Sequence, residues 1–317
     1  MTEFLAQLER AAESEVTVLL TGESGTGKTR AAERLHRRSS RATGPCVMAS
    51  LAAASPTLIE ATLFGHEKGA FTDAHRERAG LFRRADGGTL VLEDVDQLPL
   101  ELQAKLLRVV QEREVEPLGA EVPLSVDVRV VATCNGSLQQ AVQAGRFRED
   151  LYYRLAVVEL RVPSLRQRTE DLPLLIDGLV PALARRAGIA ARVLAPDTRE
   201  RLCAHSWPGN VRELENVIER LLVLAPRGDA SQPVEPDELA FLTAERTGAV
   251  HDLARTALGL GLTVEELSQA MMERALAEHR GNVSAAARAV GLTRRAFDYR
   301  LGRGDDADAD ADGEEES

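Results

Sequence analysis

Short apolar runs alternate with amphipathic stretches along the first half of the chain. The runs, which are rich in β-branched residues, are VTVLL (16–20), CVMAS (46–50), TLVLED (89–94), VDVRVVAT (126–133) and VVELRV (157–162). Between them, segments such as LELQAKLLRVVQEREV carry apolar residues at helical spacing. Because strands that alternate with helices form parallel sheets covered on both faces, the pattern predicts an α/β fold with a mainly parallel sheet.

The pattern changes after about Asp171, where the strand signal ends. Three stretches, DLPLLIDGLVPALARRAG, DTRERLCAHSW and VRELENVIERLLVLA, show helical periodicity. Residues 226–262 are mixed in character and contain PRGDASQPVEP, a composition typical of linkers. We predict five parts, namely an α/β subdomain (1–170), a helical subdomain (171–245), a linker (246–262), a compact helical unit (263–303) and a tail (304–317).

The composition is that of a globular protein, with 44% hydrophobic and 28% charged residues. No apolar run reaches the roughly 18 residues of a membrane span, and the N-terminus MTEFLAQLER lacks the order of a signal peptide. We therefore expect a cytoplasmic protein. The cysteines, Cys46, Cys134 and Cys203, form no CxxC pair. This argues against a zinc site or a disulfide framework, and we expect all three to be small buried hydrophobic residues.

The net charge of −11 is unevenly distributed. The tail from Asp305 to Ser317 holds eight acidic and no basic residues, so the remaining 304 residues carry −3. Residues 271–303 hold seven Arg and three acidic residues. The acidity therefore belongs mostly to a tail that we expect to be disordered, and it does not exclude a nucleic-acid partner.

An octapeptide, GESGTGKT, follows the first predicted strand and precedes the helical stretch RAAERLHRR. It satisfies G-x-x-x-x-G-K-[ST], a loop whose backbone N–H groups bind nucleotide phosphates. Lys28 would reach the β- and γ-phosphate oxygens, and Thr29 would ligate Mg²⁺. The predicted nucleotide-binding residues are Gly22, Glu23, Ser24, Gly25, Thr26, Gly27, Lys28 and Thr29. The alternative is a glycine-rich connector that binds nothing.

Polar side chains follow two other predicted strands. Glu93 and Asp94 end an apolar strand at the edge of the sheet that should face the ligand crevice. One carboxylate would orient Mg²⁺ or its water shell, and the other would polarise the attacking water. Asn135 ends a further strand and is suited to holding a water near the γ-phosphate. Alone, such residues are more often solvated turns or caps.

Phosphoryl transfer also needs cations other than the lysine of the phosphate loop. Arg148 and Arg154, in GRFREDLYYRL, and Arg212, in WPGNVRELEN, are the candidates. Arginine suits this role because its planar guanidinium binds phosphate oxygens in pairs. The alternative for each is an ion pair with a neighbouring surface acid.

The stretch HEKGAFTDA, at 66–74, fits neither a core strand nor a helix. It is predicted to be a loop that carries one aromatic side chain. Its residues of interest are Gly69, Ala70, Phe71, Thr72, Asp73 and Ala74. Such a loop either binds a partner or folds its Phe back beneath itself.

The segment MMERALAEHRGNVSAAARAVGLTRRAFDYRLGR predicts three helices with breaks near Gly281 and Gly291. Thr293 is placed to cap the last helix. The arrangement is typical of a helix-turn-helix with a basic recognition helix, and the candidate DNA-binding residues are Thr293, Arg294, Arg295, Tyr299 and Arg300. The alternative is a plain helical hairpin that closes a domain.

Taken together, these motifs resemble the sigma-54-dependent transcriptional activators, or bacterial enhancer-binding proteins. That family joins an AAA+ ATPase to a Fis-type helix-turn-helix. The match covers nearly the whole chain in the family's order: GESGTGKT, LFGHEKGAFTDA, GGTLVLEDVDQLP, LQAKLLRVVQERE, GRFREDLYYRL, PSLRQRTEDLPLL, WPGNVRELEN and the C-terminal unit.

The resemblance implies specific roles. Asn135 would be sensor I, and Arg212 would be sensor II in a helical lid. Arg148 and Arg154 would act as arginine fingers across the subunit interfaces of a ring, usually a hexamer. HEKGAFTDA would be the GAFTGA loop, whose Phe and Thr touch sigma-54 and move with the nucleotide state. With ATP and Mg²⁺ as cofactors, hydrolysis would remodel the closed promoter complex of sigma-54 RNA polymerase into an open one.

Five positions depart from the family pattern. The Asp-Glu pair of that family reads Glu93-Asp94, which places the shorter carboxylate where water is activated and is compatible with slow turnover. Ser50 aligns with a usual Asn, and Cys134 with a usual Thr. Asp73 replaces the second Gly of GAFTGA, which reduces access to φ > 0 and adds a charge.

Residues 1–15 are too few for the receiver or ligand-sensing domain that the family usually has, so we expect no N-terminal regulatory domain, unless the chain is a fragment. Three functions remain open. The first is a DNA-bound, ring-forming ATPase that activates sigma-54 RNA polymerase. The second is a DNA-binding regulator that binds ATP, hydrolyses it poorly and does not act through sigma-54. The third is an AAA+ remodeller of another protein.

Overall fold

A five-stranded parallel sheet forms the centre of the N-terminal part of the molecule. The computed structural model describes residues 1–51, 55–70, 76–223, 233–239, 257–258, 261–279 and 281–301. The strands in chain order are β1 (Val18–Thr21), β2 (Cys46–Ser50), β3 (Gly65–His66), β4 (Arg78–Ala79), β5 (Thr89–Glu93), β6 (Glu114–Val115), β7 (Leu124–Ser125), β8 (Arg129–Cys134) and β9 (Val158–Arg161). The sheet has the order β2-β5-β8-β1-β9, and β3-β4 and β6-β7 form two small antiparallel pairs. The predicted α/β class is confirmed.

The fourth predicted strand begins later than its sequence pattern suggests. Val126 donates its backbone N–H to the carbonyl of Arg113, and Asp127 donates its N–H to the Asp86 carboxylate. The backbone N–H groups of Val126 and Asp127 therefore form hydrogen bonds outside the sheet. Pairing with the neighbouring strand starts at Arg129, opposite Thr89.

Helices cover both faces of the sheet, as predicted. The helices in chain order are α1 (Thr2–Ala12), α2 (Lys28–Arg37), α3 (Pro56–Phe64), α4 (Leu81–Arg84), α5 (Leu100–Glu112), α6 (Leu138–Gln143), α7 (Glu149–Leu155), α8 (Leu172–Ala187), α9 (Pro196–Ala204), α10 (Asn210–Val223), α11 (Val264–Glu278), α12 (Val283–Ala289) and α13 (Arg294–Arg300). Within β1, Leu20 packs with α1 and α2, whereas Leu19 belongs to the core on the opposite face. This is the alternation expected of a strand that is buried on both sides.

Only one of the three cysteines is a buried hydrophobic residue. Cys134 is buried, Cys203 is partly exposed and Cys46 is exposed. Cys46 opens strand β2, which lies at the edge of the sheet and has a neighbour on one side only. The expectation that all three would be buried is therefore confirmed for Cys134, wrong for Cys46 and only partly right for Cys203, which is partly exposed.

Helices α8, α9 and α10 form the helical subdomain that follows the sheet. Trp207, in the turn before α10, is fully buried, and its indole Nε1 donates to the carbonyl of Leu202 at 2.9 Å. Asn210, where α10 begins, is also fully buried and has a left-handed backbone with φ of 56°. These contacts fix the turn that precedes Arg212.

The chain divides into two compact units, Met1–Pro236 and Asp237–Ser317. In the second unit, α11, α12 and α13 pack around Phe297, which is fully buried with Ala286 and Met272. Thr293 caps α13 as predicted, because its Oγ1 accepts the N–H of Ala296 at 3.3 Å. The predicted domain boundaries stay a prediction. No helix within the described residues is long and apolar enough to cross a membrane.

Candidate functional site: a cleft at the carboxyl ends of the strands

The loop GESGTGKT connects β1 directly to α2. Gly25 has φ of 76°, and a Cβ at this position would lie 2.3 Å from the carbonyl oxygen of Gly209. Gly27 has φ of 100°, and a Cβ there would meet no atom within 4 Å. Gly25 is therefore required by close packing, whereas Gly27 combines a left-handed backbone with open space beside the cleft.

Lys28 places a buried cation beneath this loop. Its side chain is 7% exposed, and its Nζ donates to the carbonyls of Gly22 at 2.9 Å and Glu23 at 3.0 Å and to Asn135 Oδ1 at 2.7 Å. All three acceptors are neutral, and within the described residues no carboxylate lies at ion-pair distance. Burial lowers the pKa of Lys28, and the charge of Asp94 partly opposes that effect. A buried positive charge with neutral partners is suited to an anionic ligand.

Thr29 and Glu93 meet at the carboxyl end of β5. The Thr29 hydroxyl donates to Glu93 Oε1. Ser50 pairs in register with Glu93 and lines the same cleft. A hydroxyl and a carboxylate side by side are the oxygen ligands that Mg²⁺ prefers.

Asp94 faces the amide of Asn135. Its backbone is left-handed, with φ of 54°, and its N–H donates to Thr133 Oγ1 at 3.2 Å. Asn135 Nδ2 donates to Asp94 Oδ1 at 2.6 Å, while Asn135 Oδ1 accepts from Lys28. Asn135 therefore joins the cation to the carboxylate. Burial, followed by the nearby charge of Asp96, raises the pKa of Asp94.

These groups line one cleft of about 310 Å³. The helical subdomain closes one side of it, where Arg212 Nη1 donates to Ser24 Oγ at 2.8 Å. The predicted residues that the structure brings together here are Ser24, Gly25, Gly27, Lys28, Thr29, Glu93, Asp94, Asn135 and Arg212. Cys134 lies just below, and burial raises the pKa of its thiol to about 12, so the thiol stays neutral.

The donor set of the cleft fits a nucleotide that carries its own metal ion. No group of three or more His, Cys, Asp or Glu side chains among the described residues is arranged to hold a metal. Mg²⁺ is commonly bound by one or two protein oxygens together with substrate phosphates and water. Thr29 and Glu93 would supply the protein oxygens, and Lys28 would meet the phosphates.

Arg148 and Arg154 are not among the residues that line this cleft. Arg148 is exposed and pairs with Asp150 at 2.8 Å. Arg154 is exposed on α7 and borders a second cavity, of about 290 Å³, together with Arg113 and Arg129. Neither arginine therefore lies at the cleft of its own chain.

Three residues that the sequence analysis did not single out contact the phosphate loop from the helical side. Arg166 forms an ion pair with Glu23, Arg168 donates to the carbonyl of Thr26, and Asn210 donates to the carbonyl of Ser24. Arg166 and Arg168 lie in PSLRQRTEDLPLL, and Asn210 precedes Arg212 by two residues. The only sequence signal for Asn210 was its place after Pro-Gly at a helix start.

The predicted partner loop is described only at its base. Gly69 and Ala70 lie in a turn after β3, and Glu67 donates its N–H to the carbonyl of Leu118 at 2.9 Å. The base is thus tied to the segment between β6 and β7. Phe71, Thr72, Asp73 and Ala74 lie outside the described residues.

In the second unit, the candidate DNA-binding residues share one exposed helix. Arg294, Arg295, Tyr299 and Arg300 are exposed on α13, whose Phe297 is buried. Arg294 has one acidic neighbour, Asp298, at 3.8 Å. This is the charge distribution expected of a helix that enters a DNA groove.

Comparison with known families finds three successive matches along the chain. Residues 1–161 match the sigma-54 interaction domain, residues 166–254 match an AAA+ ATPase lid domain, and residues 263–304 match the bacterial regulatory proteins of the Fis family.

Curated relatives and solved structures agree with these matches. The chain is 41% identical over 305 residues to the transcriptional regulatory protein ZraR of Salmonella typhimurium, covering 96% of this chain and 67% of ZraR. It is 43% identical over 273 residues to the sigma54-dependent transcriptional regulator SfnR of Pseudomonas fluorescens, covering 86% of this chain and 71% of SfnR. The crystal structure of NtrX from Brucella abortus superposes with a TM-score of 0.71 at 34% identity, covering 95% of this chain and 67% of NtrX. NtrX has also been solved in complex with ATP, with a TM-score of 0.69 to this chain. The chain belongs to the sigma-54-dependent transcriptional regulators and joins an AAA+ fold to a Fis-type helix-turn-helix.

Proposed function

We propose that this chain binds ATP with Mg²⁺ in the cleft and hydrolyses it to activate transcription by the sigma-54 form of RNA polymerase. The observation that carries the proposal is Lys28, a buried cation with only neutral partners, placed beside the Thr29–Glu93 pair and the Asp94–Asn135 pair. One anionic ligand that brings a divalent cation would engage all of these groups. The complex of NtrX with ATP supports this choice of ligand.

We propose a role for each of these residues. Lys28 would bind phosphate oxygens, and Thr29 and Glu93 would hold a Mg²⁺, which would neutralise charge on the phosphates. Asp94 accepts a hydrogen bond from the attacking water, and Asn135 orients that carboxylate. Arg212 exchanges its hydrogen bond to Ser24 for one to the nucleotide. Because Arg212 lies on α10, the position of the lid then depends on whether nucleotide is bound.

Arg148 and Arg154 would complete the site from a neighbouring copy. Both are exposed, and the guanidinium of Arg148 forms a surface pair with Asp150, which contributes little and is easily exchanged. Hydrolysis would then require a ring, which we propose to be a hexamer. The rate per chain should rise cooperatively with protein concentration.

The loop at 69–74 and helix α13 would connect ATP hydrolysis to transcription. The loop would contact sigma-54 through Phe71 and Thr72, and α13 would hold the ring on DNA through Arg294, Arg295, Tyr299 and Arg300, with Thr293 capping the helix. Because DNA and polymerase are the partners, the site of action would be the cytoplasm.

The test is steady-state ATP hydrolysis by the full chain against protein concentration, with and without sigma-54 holoenzyme on a pre-melted promoter. We expect cooperative turnover and a stable polymerase complex in the presence of a transition-state analogue. Arg148→Ala should abolish turnover while ATP binding and the melting temperature stay unchanged. Full turnover in that variant would show that Arg148 does not act on a neighbouring site.

A second function is favoured by one observation in the cleft. Asp94 has the shorter side chain, and its Oδ1 already accepts a hydrogen bond from Asn135, so its carboxylate reaches an attacking water less well than a Glu at this place would. The chain would then bind ATP to assemble on DNA and hydrolyse it poorly. ATP binding without turnover, combined with a gain of turnover in the double variant Glu93→Asp, Asp94→Glu, would establish this second function. Sigma-54 engagement that is weak and restored by Asp73→Gly would point the same way.

A further inference from the structure

The lid, defined here as residues 166–254 that match the AAA+ lid domain, contacts the carbonyl oxygens of the phosphate loop. The carbonyl of Ser24 accepts from Asn210 Nδ2 at 3.0 Å, and that of Thr26 from Arg168 Nη2 at 2.9 Å. Between them, the carbonyl of Gly25 accepts the backbone N–H of Val211 at 3.0 Å. Three successive carbonyls of the loop therefore point toward the lid.

This arrangement has a direct consequence for the opposite side of the loop. In a planar trans peptide, the N–H of each residue points away from the carbonyl of the residue before it. With the carbonyls of residues 24–26 turned to the lid, the N–H groups of Gly25, Thr26 and Gly27 turn away from it. The N–H of Thr26 donates to the carbonyl of Glu23 at 3.4 Å, so those of Gly25 and Gly27 are the groups that this loop would offer to a phosphate.

The side-chain amide of Asn210 is held by several hydrogen bonds. It is fully buried, and its Oδ1 accepts the N–H of Leu165 at 2.8 Å. Its Nδ2 also donates to Glu23 Oε2 at 3.1 Å, and Arg166 Nη1 donates to the same oxygen at 2.7 Å. The amide therefore has one orientation, with its donor side facing the loop.

Arg168 is costly as a purely structural residue. It is 5% exposed, burial lowers its pKa, and its Nε has no hydrogen-bond partner within the described part of the chain. A buried cation with an unused donor adds little or nothing to stability, and an apolar side chain of similar size is often equally stable there. Its contact with the Thr26 carbonyl is better explained by the shape that it imposes on the loop.

We propose that Arg168 and Asn210 are positioning residues that hold the phosphate loop in its ligand-binding shape, so that nucleotide affinity depends on lid docking. The inference rests on the proposed nucleotide-binding function. Because coupling between two sites is reciprocal, bound nucleotide must strengthen the lid contact by the factor by which the lid strengthens nucleotide binding. The lid is thereby a partner of the loop before any nucleotide arrives.

The first test compares Arg168→Met with Arg199→Met in the full chain. Arg199 is a lid residue that pairs with Asp177 on the surface and does not touch the loop, so it is the matched control. For Arg168→Met, we expect the dissociation constant of a fluorescent ATP analogue to rise roughly tenfold, the change that follows from the loss of one such hydrogen bond. The melting temperature should stay unchanged or rise, and kcat at saturating ATP should be retained. The control should keep the wild-type dissociation constant.

A second variant covers the case in which Arg168→Met does not fold. Asn210→Asp keeps the size of the side chain and its bond from Leu165, but it turns the donor that faces Ser24 and Glu23 into an acceptor. We expect a loss of affinity of about tenfold or more. In wild type, amide hydrogen exchange at Val211 should slow when the ATP analogue is added, because that N–H is donated to Gly25. In either variant the slowing should be smaller.

The outcomes separate this inference from the proposed function. Wild-type protein that fails to bind the analogue would overturn the proposed function. Wild-type binding with unchanged affinity in Arg168→Met and Asn210→Asp would overturn the positioning role alone. Equal losses in Arg168→Met and Arg199→Met would also overturn it, since the effect would then belong to lid charge in general.

Discussion

The nucleotide cleft and the C-terminal helix α13 both present positive charge, but they do so in opposite ways. In the cleft, Lys28 is 7% exposed and is held by three neutral oxygens. On α13, a helix of seven residues, Arg294, Arg295 and Arg300 are exposed to solvent. One region concentrates a single desolvated charge, and the other spreads several solvated charges.

The difference matches the two kinds of phosphate that these regions would meet. A desolvated cation interacts strongly with one ligand in one geometry, because water competes little. Solvated arginines each contribute little to the affinity for a long polyanion, and their effect is screened by salt. Substitutions in the cleft should therefore have large and specific effects, whereas those on α13 should be small, additive and dependent on salt.

The largest effect should come from the small core that supports the exposed arginines. Phe297→Ala removes the only aromatic side chain of the described C-terminal core, and the surrounding alanines cannot close the cavity. We expect a loss of about 3–5 kcal/mol in the unfolding free energy of the second unit. DNA binding should disappear while ATP affinity is unchanged, as measured by denaturant titration and by the two binding assays. Met271→Ala, at a position that is 51% exposed, is the control and should have almost no effect.

The next effect should be the loss of the desolvated charge. Lys28→Met keeps the length and packing of the side chain, and it should weaken ATP binding about 100-fold, consistent with the loss of a charge-assisted contact worth about 3 kcal/mol. The melting temperature should not fall, because the buried ammonium is itself costly. Lys105→Met removes the same formal charge from a surface pair with Glu60 and should leave ATP affinity intact. Similar losses in both variants would mean that overall charge, and not the geometry of the cleft, governs binding.

The titration of Asp94 and Lys28 should limit activity at acidic and at alkaline pH, respectively. The raised pKa of Asp94 means that its carboxylate is protonated at a higher pH than an ordinary Asp, so hydrolysis should fall early as pH decreases. The lowered pKa of Lys28 means that its charge is lost earlier as pH increases, so ATP binding should weaken on the alkaline side. Cys134, with a pKa of about 12, adds nothing in this range. Measurement of kcat/KM and of ATP affinity against pH checks both limits. An acidic limit that persists in the residual activity of Asp94→Asn would have to arise from another group.

The smallest effect should come from one solvated arginine. Arg295→Ala should weaken DNA binding a few-fold, by about 1 kcal/mol, and should reduce the slope of log affinity against log salt by about 1. Arg274→Ala, on the neighbouring helix α11 and paired with Glu278, is the matched control and should leave the salt slope unchanged. A large, salt-independent loss at Arg295 would show that this residue reads a base and does not simply contact phosphate.

Much of the fold could be predicted because it rests on local patterns. The five strands of the sheet appeared as short apolar runs, and the cap at Thr293 followed from its place before a helix. The burial of the cysteines could not be predicted in the same way. Cys46 and Cys134 both lie in strands, but β2 is an edge strand and β8 a central one. The identity of a residue does not indicate where its strand lies in the sheet.

The sequence by itself determined most of the chemistry of the cleft, because the phosphate loop, Glu93, Asp94 and Asn135 lie at or just after strand ends, and parallel strands bring those ends to one edge. Only the tertiary structure decided how the lid holds the phosphate loop. Arg168 and Asn210 reach Thr26 and Ser24 across 142 and 186 residues of chain. Contacts at such separations depend on how the lid packs against the sheet, and no spacing along the chain encodes them.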